Sequence, residues 1–513
     1  MKWFWLLQAA LTSVTAFANP VIDSLGAVSP LTIDVILRPV RGDSAEVTAV
    51  EVRWRLNGTL RPTSLPFSLI APITYAGRTG IADRVDSLYA RDSSGLISFT
   101  IEDDPKDPGG FPYFRHWRAQ RRVVPPIVVS YCMLSIRGPS TPGPQFDFLS
   151  YNGGISSGGM ALFVLPESIA VKNTRLRWDL SDLSPGPIAA STNGEGDFEL
   201  PIGTEELVQA YYMAGPLGRY APADTLTGFR AYWLGQPAFD PRREMAWTSL
   251  VYEYLRHFYQ DTTTLSYRVF LRAYPGTGGG TALRNSFMLG TAPGSGDSAK
   301  TGPRGTLAHE MGHMWIGELS GGGPGGTTWF NEGLNVYYTR LLLLRSGLAP
   351  VSDYENDINK RARDYYTNPF KNVSADSIRK LGFSTGVGSR SAQNVPYSRG
   401  SMYFADVDAK VRAATGGRRK LDDVILALFE RRRNGEEITQ QKLLDALVNE
   451  IGPAARKEFE AVIIRGETIM PESGAFGPGF ERRSLKIAGE GQEVDGFEWV
   501  RVPSIPDSRC REW

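Results

Sequence analysis

The spacing of apolar positions changes along the chain near residue 215. Before it, Thr32 to Leu37, Glu46 to Arg55, Leu96 to Ile101 and Ile127 to Ile136 alternate polar with apolar residues or gather β-branched ones. That pattern predicts short strands. Clusters of Pro, Gly, Asn and Asp, as in Pro105 to Gly110 and Asn193 to Gly196, predict the turns between them. The expectation is an all-β N-terminal domain, a sandwich or a curved sheet. Beyond it, Met245, Leu250, Tyr254 and His257 recur near helical spacing within Pro241 to Tyr259. A further β stretch, Leu265 to Ala273, leads into Gly276 to Gly280 and a polar loop, Pro293 to Gly305. A helix is predicted over Thr328 to Arg345, with Gly347 placed to end it. Lys420 to Glu460 reads as charged helix with Leu421, Val424, Leu426, Leu428 and Phe429 as its apolar surface. The final segment, rich in Gly, Pro, Arg and Glu, reads as loop with some extended structure.

The first residues have a different logic. Met1-Lys2 is a short positive start, Trp3 to Phe17 is mostly apolar, and Ala16-Phe17-Ala18 has the small-x-small form of a cleavage site. A secretory signal peptide cut before Asn19 is the expectation. The apolar run is short and diluted by Gln8, Thr12, Ser13 and Thr15, which argues against a membrane span. The expected location is periplasmic or secreted, with no stable membrane insertion after cleavage. The expected division is a signal peptide (1–18), a β-rich domain (19–215), a catalytic domain (216–415), a helical C-terminal segment (416–475) and a tail (476–513).

Composition narrows the function classes. With 56 basic and 55 acidic side chains the net charge is +1, so no bulk basic surface exists to hold nucleic acid. At 42% hydrophobic and 22% charged the chain is ordinary globular material. Its two cysteines, Cys132 and Cys510, leave pairing open. It has four histidines, and two of them, His309 and His313, lie within one five-residue stretch.

That stretch, His309-Glu310-Met311-Gly312-His313, carries the chemistry. On a helix, residues i and i+4 share a face, so both imidazoles can bind one metal ion. Glu310 can then be aimed at a water on that ion. A catalytic zinc needs a third protein ligand and one open position. Eighteen residues separate His313 from Glu332. Between them Ser320 to Gly326, with five glycines and a proline, must break the helix. A second helix from Thr328 can bring Glu332 back to the two histidines. One zinc ion held by His309, His313 and Glu332 is therefore expected.

HEMGHMW (309–315), followed at this spacing by WFNEGLNVYY (329–338), resembles the gluzincin metallopeptidases. NEGLNVYYTRLLLLRSGL (331–348), VPYSRGSMYFADVDAKVR (395–412) and GGRRKLDDVILALFERR (416–432) narrow the resemblance to the glycyl aminopeptidase family. That family is related to the aminopeptidase N and leukotriene hydrolase family. The resemblance implies an α+β multidomain protein: a β-rich N-terminal domain, a thermolysin-like, mainly helical zinc catalytic domain, and a C-terminal helical segment. It implies His309, His313 and Glu332 as zinc ligands, Glu310 as general base to a zinc-activated water, and a peptide or protein as substrate. It also implies Tyr397, in Tyr397-Ser398-Arg399-Gly400, as a hydrogen-bond donor to the developing oxyanion.

Two departures from the family matter. Aminopeptidases hold the substrate's free amine with a carboxylate on a glycine-rich strand. Here that place reads Gly278-Gly279-Gly280-Thr281-Ala282, with Ala282 at the expected glutamate. Gly278, Gly279 and Gly280 still allow close approach of a substrate backbone. An acid expected seven residues after the ligand glutamate is Thr339, which leaves Asn335 to supply part of the supporting hydrogen bonds. Three readings follow: an aminopeptidase-like zinc hydrolase, an endopeptidase or hydrolase of blocked substrates on the same site, and a degenerate zinc-stabilised peptide-binding protein.

Overall fold

The computed structural model describes residues 30–513 apart from 43–45, 61–65, 107–111, 137, 142, 184–185, 222–227, 265, 324, 384–388 and 490–492. The signal-peptide segment, 1–18, and most of the turn predicted at Pro105 to Gly110 lie outside the described residues. Two compact units are formed. Of the described residues, one holds those from Pro30 to Ala246 together with Thr264–Gly302; the other holds Trp247–Thr263 and Pro303–Trp513.

The first unit is β-rich. Its largest sheet has seven strands in the order Phe198–Leu200, Asn173–Trp178, Thr32–Arg41, Val47–Asn57, Ile127–Leu134, Val85–Asp92 and Gly95–Leu96. Thr32–Arg41 shows why alternation predicts a strand: Ile33, Val35 and Leu37 are buried while Ile36 is exposed. The expected boundary at residue 215 does not coincide with the edge of this unit. Gly218–Tyr220, Gly228–Leu234, Ser266–Ala273, Ser286–Thr291 and Gly279–Leu283 form a further five-stranded sheet that belongs to it. The reason is a shared core. Tyr232, Leu234, Phe270 and Met288 of that sheet are buried in one cluster with the N-terminal strands. His116 also finds its place here, with Nδ1 3.1 Å from Glu167 and Nε2 3.1 Å from Asp104.

Helices are numbered in chain order from α1, Thr204–Val208, and α2, Pro241–Phe258. The second unit is helical. It continues with α3 (Arg304–Gly312), α4 (Thr328–Arg345), α5 (Val351–Tyr366), α6 (Ala375–Phe383), α7 (Ser389–Ala414), α8 (Leu421–Arg433), α9 (Gln440–Ile451) and α10 (Ala454–Phe459). The bounds of α4 match those predicted, and Gly347 beyond it takes φ +74°. The tail is more ordered than expected. Phe480–Ala488 and Glu493–Arg501 pair as an antiparallel hairpin, and Trp499 is fully buried. Asn359 on α5 fixes it, donating to the Trp499 carbonyl and accepting its N–H, both at 2.8 Å. Both cysteines are free thiols. Among the described residues no helix is long and apolar enough to cross a membrane.

One crossing sets the geometry of the helical unit. α4 and α7 meet backbone to backbone at Gly333 and Gly400. A Cβ on Gly333 would lie 2.5 Å from the Cα of Gly400, and one on Gly400 would lie 2.3 Å from the Trp329 carbonyl oxygen. Trp329 stacks on Phe404 at 5.7 Å and meets Phe459 edge-on at 5.0 Å, so an aromatic cluster flanks the crossing. Gly400→Ala should therefore force the helices apart. An overpacking cost of ~1–3 kcal/mol corresponds to a fall of roughly 2–10 °C in melting temperature. An unchanged melting temperature by calorimetry would show that the crossing is looser than this.

Candidate metal centre

Glu332 directly precedes Gly333 on α4, and Tyr397 lies one turn before Gly400 on α7. The close crossing thus carries both toward the same point. α3 and the turn that follows it supply the rest. His309 Nε2 lies 3.1 Å from Glu332 Oε2, His313 Nε2 lies 3.4 Å from the same oxygen, and the two imidazole nitrogens are 3.3 Å apart. Among the described residues these three make up a His/Cys/Asp/Glu group that could hold a metal ion. The separations test the fit. A tetrahedral zinc with bonds of about 2.0–2.1 Å needs donor atoms about 3.3–3.4 Å apart. The three donors have that spacing before any adjustment, and two nitrogens with one carboxylate oxygen are a zinc-type donor set.

The electrostatics suit a cation. Glu332 is buried, with 1% of its side chain exposed. Burial alone favours its neutral acid, but the His313 and His309 imidazoles outweigh that and hold its carboxyl at about 2. Burial pulls His309 down to about 4, against the attraction of Glu332. His313 is also opposed by burial, yet the Glu332 and Glu310 carboxylates leave it raised. At neutral pH the centre therefore offers an ionised carboxylate and at least one neutral imidazole, the forms that bind metal.

α3 is shorter than the sequence implied. It ends at Gly312, and His313, Met314 and Trp315 form a turn instead of a continuing helix. Trp315 explains the departure. Its indole donates to Asp261 at 2.9 Å and stacks on Tyr259 at 5.3 Å, which draws the chain away from the helix axis. Both histidines still reach Glu332.

Glu310 is buried beside His309, and its charge acts on both His313 and Tyr397. The Tyr397 ring faces that of His309 at a centroid distance of 6.2 Å, inclined by 29°. Burial first, then the Glu332 and Glu310 charges, push the Tyr397 phenol well above its usual range. It stays protonated and remains a donor at neutral pH. Asn335 makes its supporting hydrogen bond to the backbone of a candidate ligand. Its Nδ2 donates to the backbone carbonyl of His309 at 2.8 Å, and its Oδ1 accepts from Thr339 at 3.2 Å. The asparagine thus braces the backbone of α3. Gly312 makes this possible, since a Cβ there would sit 2.0 Å from Asn335 Oδ1. The glycine inside the histidine motif was the sequence signal for that contact.

Gly278, Gly279 and Gly280 lie in the β-rich unit, at and before the strand Gly279–Leu283, which forms one edge of its sheet. Gly279 takes φ +87° with open space where a side chain would be. Two carbonyls of this segment are already used: Gly278 accepts from Gln145 Nε2 at 3.1 Å, and Thr281 accepts from the Tyr211 hydroxyl at 2.9 Å.

No family model matches the sequence, and no curated protein matches it either. Solved structures do match its fold. An aminopeptidase N family protein from Idiomarina loihiensis aligns with a TM-score of 0.65 at 15% identity, over 88% of this chain and 79% of that one. The fold is that of the M1 zinc metallopeptidases. An M1 zinc metallopeptidase mutant from Deinococcus radiodurans, bound to a Tyr-Ser-Ala substrate, aligns at TM-score 0.50 and 16% identity over 86% and 96% of the two chains. Yeast LTA4 hydrolase aligns at TM-score 0.50 and 15% identity over 90% and 73%. The architecture is thus a β-rich N-terminal part followed by a helical one, as the sequence implied.

Metal titration checks the donor set. Protein stripped with a chelator should take up one equivalent of Zn²⁺ per chain. Glu332→Ala should weaken that binding by more than the ~10–100-fold that loss of an outer hydrogen bond costs. Wild-type affinity in Glu332→Ala would remove Glu332 from the centre.

Proposed function

We propose that this chain is a zinc-dependent peptide hydrolase, aminopeptidase-like, in which His309, His313 and Glu332 hold one zinc ion. The observation that carries the reading is the meeting of a zinc-spaced donor set with a buried carboxylate, Glu310, and a protonated phenol, Tyr397, on an M1 fold. A bound zinc would polarise the scissile carbonyl and make water acidic enough to lose a proton near neutral pH. Glu310 takes that proton on its carboxylate and later hands it to the leaving amine. Tyr397 donates its O–H to the carbonyl oxygen as charge builds there, without bringing a fixed charge of its own. Asn335 keeps the α3 backbone in place while this happens. The flanking sequence 331–432 supports the glycyl aminopeptidase family as the nearer kin.

Ala282 favours a second reading. With no carboxylate at that place on the strand, the enzyme accepts peptides whose N-terminus is blocked, or cleaves internally. Residues 1–18 support export to the periplasm or the medium.

Glu310→Gln should keep zinc and lose hydrolysis by about 10²–10⁴-fold, with Tyr397→Phe slower by about 10²–10³-fold. Full activity in Glu310→Gln would sink the hydrolase reading. Matched free-amine and N-acetylated peptides separate the two modes: a strict need for the free amine excludes the second. If no peptide library is turned over above the Glu310→Gln background, the chain is a zinc-stabilised peptide binder. Mass spectrometry of the exported protein should find Asn19 at its start; an intact Met1 would refute the leader.

A further inference from the structure

Of the three candidate ligands, His313 alone stands outside a helix, since α3 ends at Gly312 and Glu332 lies within α4. Its ring must be fixed by the turn that carries it. One fixing contact is local. The Ile316 backbone forms a hydrogen bond to His313 that favours the protonated ring, so the Ile316 carbonyl accepts and the imidazole donates. Nε2 faces Glu332 and His309, which leaves Nδ1 as the donor. Such an outer hydrogen bond sets which ring nitrogen is presented to a metal. His313 is therefore only as well placed as Ile316.

Ile316 in turn depends on Trp315. The N–H groups of both converge on the Gly312 carbonyl, at 3.1 Å for Trp315 and 3.0 Å for Ile316. The Trp315 ring stacks on Tyr259 at 5.3 Å and meets Tyr252 at 6.2 Å. Its indole N–H donates to Asp261 Oδ2 at 2.9 Å, in a contact buried from solvent. A buried indole N–H left unmade is costly, so the acceptor decides the orientation of the ring. Asp261 lies just beyond α2 and is 7% exposed. It is itself anchored. Its Oδ1 accepts from the Thr263 backbone N–H at 2.9 Å and from the Thr263 hydroxyl at 3.0 Å, and its own N–H donates to the Arg256 carbonyl at 3.0 Å. α8 holds the same stack from another side. Arg433 donates to the Tyr259 carbonyl at 3.0 Å, and Arg432 donates to the Glu318 carbonyl at 3.1 Å.

We propose that Asp261 is a positioning residue for the metal ligand His313, acting through the indole of Trp315. This role presupposes that His313 binds zinc, and it extends the metal centre's support to a carboxylate more than fifty residues before the histidine motif.

Zinc affinity, measured by competition with a chromophoric chelator and without any peptide, tests the role. Trp315→Phe keeps a stacked ring and removes the N–H; Asp261→Leu removes the acceptor. Each should weaken zinc binding about tenfold, the lower end of the range for outer hydrogen bonds. The double variant should also lose about tenfold in total, because both changes break one contact. Asp261→Asn keeps a carbonyl oxygen for the indole and should bind zinc as wild type does. Melting of the metal-free proteins separates positioning from mere support. A lower melting temperature with wild-type zinc affinity in Trp315→Phe and Asp261→Leu overturns the role, and so does a fully additive loss in the double variant. If Asp261→Leu does not fold, Trp315→Phe decides alone: weakened zinc binding supports the role and wild-type binding overturns it. Hydrolysis keeps the two readings apart. A wild type that binds zinc but turns over no peptide refutes the hydrolase reading and leaves the affinities to decide the role of Asp261. Wild-type turnover with unchanged zinc affinity in both single variants refutes that role alone.

Discussion

The helical unit is organised around a carboxylate that is unfavourable to bury. Glu332 is nearly fully enclosed, and an ion so placed costs several kcal/mol unless charge or hydrogen bonds answer it. His309 from α3 and His313 from the turn that follows it answer the charge, both within 3.4 Å. The same three donors that relieve the cost also define a point between them suited to a dication. Fold and chemistry therefore share one requirement, since anything that keeps α3 against α4 preserves both.

Two glycine contacts hold the surrounding helices at the required distance. Gly312 lets Asn335 reach the α3 backbone. Gly333 and Gly400 let α4 and α7 touch, which carries Tyr397 over the His309 ring. Neither contact supplies a reacting atom. Both decide where reacting atoms can be, because a methyl group at any of these positions would meet rigid backbone or a buried amide.

Much of this was legible in the sequence. The histidine pair at i and i+4, the glycine-rich break and Glu332 eighteen residues on are spacing statements, and helical geometry converts them directly into a donor set. The bounds of α4 followed from its apolar run and Gly347. Other features were hidden because they depend on partners distant in sequence. The end of α3 is set by Trp315 reaching Asp261, more than fifty residues earlier. The strands between 218 and 291 join the β-rich unit through Phe270 and Met288, whose burial partners no local period reveals. The hairpin at 480–501 was masked by charged residues on its exposed face, and Trp499 was its one strong clue.

The central claim is that His309, His313 and Glu332 together hold zinc. X-ray absorption at the zinc edge, recorded on the reconstituted protein, tests it most directly. The account predicts a four-coordinate ion with two imidazole nitrogens and oxygen donors at about 2.0–2.2 Å, one nitrogen being lost in His313→Ala. A shell of oxygens alone, or one that is unchanged in His313→Ala, would contradict it.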